Sequence, residues 1–154
     1  MPYEPRLHVV LFQPEIPQNT GNIGRTCVAV GAKLWLIRPL GFRMDESRLR
    51  RAGMDYWDHL LWETVTDWGA LVERLDQRRF WFFSKTGTQS IFSVPFQNED
   101  VLVFGSESNG LPPSLLLTNA NRVVRISMRS EVRSLNLACS VAVGCYEAIR
   151  KIEQ

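Results

Sequence analysis

Five short runs of nearly unbroken apolar and β-branched residues punctuate the chain: Leu7 to Phe12, Lys33 to Ile37, Phe80 to Ser84, Val101 to Phe104 and Val123 to Ser127. A strand wetted on one face alternates apolar and polar residues. Runs without that alternation need cover on both faces, which is the habit of strands in a parallel sheet. Segments of helical periodicity lie between the runs, so the expected architecture is α/β, a parallel sheet flanked by helices, with ligand chemistry at the C-terminal ends of the strands. With 154 residues, 45% of them hydrophobic, one domain over residues 1–154 is expected.

Gly21 to Val30 reads as the first helix, with Asn19, Thr20 and Asn22 able to cap it and Gly31 placed to end it. Trp68 to Gln77 reads as a second, and a third short one starts near Pro112 and Pro113. Ser134 to Ile152 is the clearest helix. Leu135, Ala138, Ala142, Cys145, Ile149 and Ile152 form one apolar stripe, and Leu137, Val141, Gly144 and Ala148 form another. Such a helix needs cover from more than one side, by the core, by a second copy of the chain, or by both.

Lys+Arg 18 against Asp+Glu 16 leaves a net charge of +2, too balanced to announce a nucleic-acid partner, so that signal has to come from local clusters. Cys27, Cys139 and Cys145 lie in apolar stretches without metal-ligand spacing and read as reduced core thiols. No apolar run approaches the roughly 20 residues of a membrane span, and no signal-peptide pattern opens the chain. The expectation is a cytoplasmic protein with no membrane partner. His8 and His59 are isolated, and no metal is expected.

Three loops that follow strands carry the chemistry. The first, Gln13 to Arg25, has Pro14 and Pro17 to stiffen it, Gly21 and Gly24 to allow close approach, and Arg25 near a helix N-terminus. A cation there opposes the helix dipole but suits an anionic ligand such as phosphate; an ion pair with Glu15 is the competing reading. The second, Phe104 to Pro112, has Gly105 and Gly110, but Leu111 and Pro112 stand where a phosphate-binding P-loop needs Lys and Ser or Thr. The third, Ile126 to Leu137, carries Arg129 and Arg133 and leads into the last helix, with Ser134 as a possible N-cap and Asn136, amid apolar neighbours, as a buried amide that needs partners. Arg43, Arg48, Arg50 and Arg51, followed by Tyr56 and Trp57, make one basic and aromatic cluster of the kind that holds phosphates and stacks on unpaired bases. Asp45, Glu46, Asp55 and Asp58 dilute it, so a solvated helical face is the other reading.

The ordered set Asn19-Thr20-Gly21-Asn22-Ile23-x-Arg25, Gly105-x-Glu107-x-x-Gly110-Leu111-Pro112 and Ser134-Leu135-Asn136-Leu137 resembles the three signature motifs of the SPOUT methyltransferases. The stretch from Arg48 to Tyr56 and the lack of an N-terminal extension are similar to the small tRNA (cytidine/uridine-34) 2′-O-methyltransferases within that class. The resemblance implies a C-terminal deep trefoil knot, a homodimer, and transfer of a methyl group from S-adenosyl-L-methionine to a ribose 2′-OH of tRNA at wobble nucleotide 34, leaving S-adenosyl-L-homocysteine. It places Phe83, Ser84, Gly105, Ile126, Met128, Ser134 and Leu135 at the cofactor. It places Arg25, Glu107, Ser134 and Asn136 at the reaction, and RNA against Arg25, Arg43, Arg48, Arg50, Arg51, Arg129 and Arg133. Ser127 and Gly24 depart from the family pattern, which commonly has proline and a larger apolar residue there.

A guanidinium pKa above about 12 argues against Arg25 as a simple general base. The expectation is that Arg25 holds phosphate and polarises the 2′-OH, that Asn136 and Ser134 orient the reacting groups, and that Glu107 positions Arg25. A ribosomal RNA methyltransferase and a non-catalytic RNA-binding dimer are the alternatives. A Rossmann oxidoreductase is disfavoured because no GxGxxG follows the first strand.

Overall fold

The computed structural model describes residues 3–44 and 54–154, with side chains from residue 56 in the second segment. Seven strands, β1 (Leu7–Phe12), β2 (Ala32–Ile37), β3 (Trp62–Val65), β4 (Phe80–Phe83), β5 (Gln89–Ser90), β6 (Val101–Phe104) and β7 (Val123–Arg125), form one sheet in the order β3-β2-β1-β6-β4-β7-β5. Every pairing is parallel. Among the described residues the helices are α1 (Pro17–Val30), α2 (Trp68–Arg74), α3 (Pro113–Thr118) and α4 (Leu137–Ile152), and a 3-10 turn spans Met54–His59.

The continuous apolar runs are explained by two cores, one on each face. Leu7, Val9 and Leu11 of β1 point with Leu34, Leu36, Leu102 and Phe104 towards α1 and α4, meeting Ile23, Cys27, Val141 and Cys145. Val10, Trp35, Ile37, Phe82 and Val103 point the other way, towards Leu71 and Leu75. Each fully buried side chain of this kind contributes about 1.5–3 kcal/mol relative to exposure.

The expected elements are present with shifted ends. β7 stops at Arg125, two residues short of Ser127, and α2 stops at Arg74 rather than Gln77. β3 and β5 were not foreseen: both lie at sheet edges, where Trp62–Val65 needs no continuous apolar run and Gln89–Ser90 is too short to read. α1 begins at Pro17, four residues before Gly21, so Asn19, Thr20 and Asn22 lie inside the helix instead of capping it. Proline supplies the first turn, where its missing N–H costs nothing. Gly31 ends α1 in the left-handed conformation at φ 77°. For α4 the N-cap is Asn136 and not Ser134, its Oδ1 accepting from the Ala138 and Cys139 amides.

α4 buries Val141, Gly144, Cys145 and Ala148, and Gly144 lies so close over the stacked Phe83 and Phe104 rings that a Cβ would sit 3.2–3.3 Å from them. Among the described residues Val143 and Tyr146, which lie off that buried side of α4, stay exposed. Cys27 and Cys145 are buried, and burial pushes the Cys145 thiol up to about 12. Cys139 is exposed, so the expectation of three core thiols holds for two. Among the described residues no helix is long and apolar enough to cross a membrane.

Candidate functional site

β1 and β6 are neighbours, although the chain departs from β1 to the opposite side of the sheet through β2 and β3. That reversal opens a crevice at the strand C-termini, where α/β sheets place their ligands. The loops after β1 and β6 emerge there side by side and clasp each other through two carboxylates.

Glu107 accepts from the backbone N–H groups of Glu15 at 2.8 Å and Ile16 at 3.0 Å, and from Asn19 Nδ2 at 3.1 Å. Ile16 is the N-cap of α1 and offers no side-chain acceptor, so a glutamate from another loop does what a capping-box residue does within one helix. Its charge also sits at the positive end of the helix dipole. Glu15 reciprocates, accepting from the Ser108 amide at 2.8 Å and from the Ser108 hydroxyl at 2.7 Å. Those hydrogen bonds hold its carboxyl below the usual carboxylate range. The 105–112 loop is folded tightly enough to meet itself. A Cβ on Gly105 would lie 2.1 Å from the Gly110 carbonyl carbon, and Gly110 takes φ 64° while its amide donates to Ser106 O.

Asn19, 6% exposed, extends the clasp to the third motif: its Oδ1 accepts from Asn136 Nδ2 at 3.1 Å. Since Asn19 Nδ2 is committed to Glu107, its carbonyl must face Asn136, and the Asn136 carbonyl must face the α4 amides. Asn19 lies 88 positions from Glu107 and 117 from Asn136, and through it the three motifs are joined in one hydrogen-bond chain. Asn136 is exposed in the single chain, which corrects the expectation of a buried amide.

An open cleft of about 360 Å3 lies between the segments after β4 and β7. Ile126 and Met128, expected at the cofactor, and Arg129 and Arg133, expected at the RNA, are among its lining residues. Lys85, Thr86 and Arg125 line it too; they were missed because they belong to no motif and only flank residues that do. Ser84 closes β4 against β7, its amide donating to Val124 O, and its hydroxyl pairs with Thr86 Oγ1 at 2.9 Å. Phe83 does not line the cleft and is buried in its stack with Phe104. Ser134 and Leu135 are exposed on the approach to α4. Arg129 pairs with Glu131.

Arg25 is exposed, with its guanidinium carbon 4.5 Å from the centre of the Tyr56 ring. Glu107 binds the helix end and Asn19 instead, so the expectation that Glu107 positions Arg25 is corrected, as is the Glu15–Arg25 ion pair. Trp57 is 7% exposed and packs on Gly24 and Trp62, which removes it as a base-stacking surface. Arg43 is exposed after β2; Arg48, Arg50 and Arg51 lie outside the described residues. Among the described residues no three His, Cys, Asp or Glu side chains gather as metal ligands.

Known proteins resemble the chain over this whole arrangement. A tRNA (cytidine(34)-2'-O)-methyltransferase of Burkholderia cenocepacia is 46% identical over 148 residues, 94% of each chain. The Escherichia coli K12 protein of the same name is 42% identical over 147 residues, 95% of this chain and 94% of that one. A structure solved in work on 2-OH methylation of C/U34 on tRNA superposes with a TM-score of 0.90 at 46% identity, covering 94% of this chain and 95% of the other. An AdoMet-bound rRNA methyltransferase from Sinorhizobium meliloti superposes at 0.83 with 25% identity, over 97% of this chain and 57% of that one. The SpoU rRNA Methylase family model matches residues 6–146, and the chain belongs to that family.

Proposed function

We propose that the chain is an S-adenosyl-L-methionine-dependent tRNA 2′-O-methyltransferase acting on the ribose of wobble nucleotide 34. The observation that carries this reading is the Glu107–Asn19–Asn136 chain, which joins all three motifs at the C-terminal edge of the sheet. Relatives at 42–46% identity that match nearly end to end bear the wobble-nucleotide name.

The cleft fits the cofactor. Its volume falls within the roughly 300–1,000 Å3 of small-molecule sites, and it offers apolar Ile126 and Met128 beside polar Thr86 and Ser130. Phe83 and Ser84, Gly105, Ile126, Met128, and Ser134 with Leu135 would hold it. When bound, it supplies a methyl group already activated by a sulfonium. The work left to the chain is to place the ribose oxygen and assist loss of its proton. Arg25 holds the RNA phosphate and polarises the 2′-OH. Asn136, its orientation set through Asn19, aligns the reacting groups together with Ser134, while Glu107 locks the loops that carry them. Lys85, Arg125 and Arg133, with Arg43, Arg48, Arg50, Arg51 and Arg129, supply positive charge for the tRNA backbone.

Two features of the assembly belong to the same reading. β7 lies between β4 and β5, which are joined by residues 84–88 alone, and a Cβ on Gly87 would sit 2.7 Å from the Val124 carbonyl carbon. This crossing supports a trefoil knot within a single domain over residues 1–154. The exposed Val143 and Tyr146 on α4, with Val132 and Leu135 before it, support a homodimer. The cytoplasm is the compartment where such a tRNA enzyme would work.

The test is methylation of bulk tRNA from a strain lacking the protein, using labelled S-adenosylmethionine and mapping the modified nucleotide. Label at position 34 is expected; no label in tRNA, or label at another position, would refute the assignment. Arg25→Lys probes the mechanism: turnover should fall at least tenfold, because a point charge cannot reproduce the planar fork.

A further inference from the structure

We propose that Tyr56 is a positioning residue for Arg25, its ring holding the guanidinium in place for the RNA without occupying any of its N–H donors. This rests on the role given to Arg25 above. A guanidinium that must bind a phosphate and polarise a hydroxyl needs its in-plane donors free. A carboxylate partner would take up to two of them. An aromatic ring approaches the face of the guanidinium instead, so it restrains a long, flexible side chain and leaves the edge available.

The structure supplies the ring and a reason for it to stay there. Arg25 lies 4.5 Å from the Tyr56 ring centre, and Tyr56 is 41% exposed, so its packing does not account for its position. The next residue does. Trp57 is 7% exposed and fits where Gly24 has no side chain: a Cβ on Gly24 would stand 2.6 Å from Trp57 Cζ3 and 3.2 Å from Leu60 Cδ2. On its other side Trp57 tilts against Trp62 with ring centres 5.3 Å apart, and Leu60 N closes the turn onto Trp57 O. Gly24 and Arg25 are adjacent on α1, and Trp57 and Tyr56 are adjacent on the 3-10 turn. Seating one pair therefore registers the other. This also gives a physical role to the small residue at position 24: it is the socket that docks the turn.

The test is a double-mutant cycle on the protein, measuring initial rates with S-adenosylmethionine and varied concentrations of tRNA from a strain lacking the protein. Tyr56→Phe keeps the ring and should stay near the parent rate. Tyr56→Leu should lower kcat/KM for tRNA about two- to fivefold, the factor corresponding to a partly exposed cation–π contact, with an unchanged melting temperature. In an Arg25→Ala background the same Tyr56→Leu change should have no effect, on turnover or, where turnover falls below detection, on tRNA affinity. Loss of equal size in both backgrounds, or no loss in the parent, overturns the proposal while leaving the function standing. An Arg25→Ala protein with full activity overturns the role of Arg25 and this inference with it.

Discussion

Replacing Glu107 by glutamine keeps the size of the side chain and changes only what it can accept. In the parent, one carboxylate oxygen takes the Glu15 amide at 2.8 Å, and the other takes the Ile16 amide at 3.0 Å and Asn19 Nδ2 at 3.1 Å. All three partners are donors, and glutamine has one acceptor oxygen. In its better orientation it serves Ile16 and Asn19 and turns an NH2 towards the Glu15 amide. One charged hydrogen bond, worth about 1.5–3 kcal/mol, is then lost, and two fall from charged to neutral strength, roughly 0.5–1 kcal/mol each. Water reaches the exposed Glu15 amide and recovers part of this, which leaves a net loss of about 2–3 kcal/mol. Urea denaturation of Glu107→Gln should show a lower midpoint with an unchanged slope, and the melting temperature should fall by roughly 5–10 °C. Titration calorimetry should also find weaker binding of S-adenosylhomocysteine, because the 105–112 loop is no longer tied to α1. A stability change within about 0.5 kcal/mol, the usual range of a neutral surface substitution, would refute the claim that this carboxylate joins the loops.

Two further outcomes follow from His8 and Gly105. His8, 3% exposed, accepts from Trp35 Nε1 and is held neutral down to about 4 by burial, with Arg78 adding to the effect. Its folded-state pKa lies below the unfolded value of about 6.5. Its contribution is therefore complete above pH 6.5 and is lost as the pH falls towards 4, amounting to about 3 kcal/mol across that window. His8→Gln should flatten this part of the pH–stability curve measured by urea denaturation, and an unchanged slope would count against the assignment. Gly105→Ala should cost at least about 1–3 kcal/mol and weaken binding of the methyl donor, because its Cβ would meet rigid backbone at 2.1–2.5 Å; a crystal structure with the 105–112 loop unmoved would contradict this.

The sequence by itself determined that a parallel sheet forms and where its central strands lie, because a strand covered on both faces must be apolar at every position, as Leu7–Phe12 and Val101–Phe104 are. It marked the three motif loops too, since glycines, an arginine and an asparagine at strand ends have no role in a core. Tertiary structure alone decided how those loops are wired. Nothing local to Glu107 says that its carboxylate caps a helix 91 residues away, nothing local to Asn19 says that it bridges the second and third motifs, and the partner of Arg25 turned out to be a tyrosine and not a glutamate. The physical reason is the range of the interactions. Apolar periodicity is written into neighbouring residues, whereas a hydrogen bond or a ring contact between distant segments exists only after the sheet order has brought β1 beside β6.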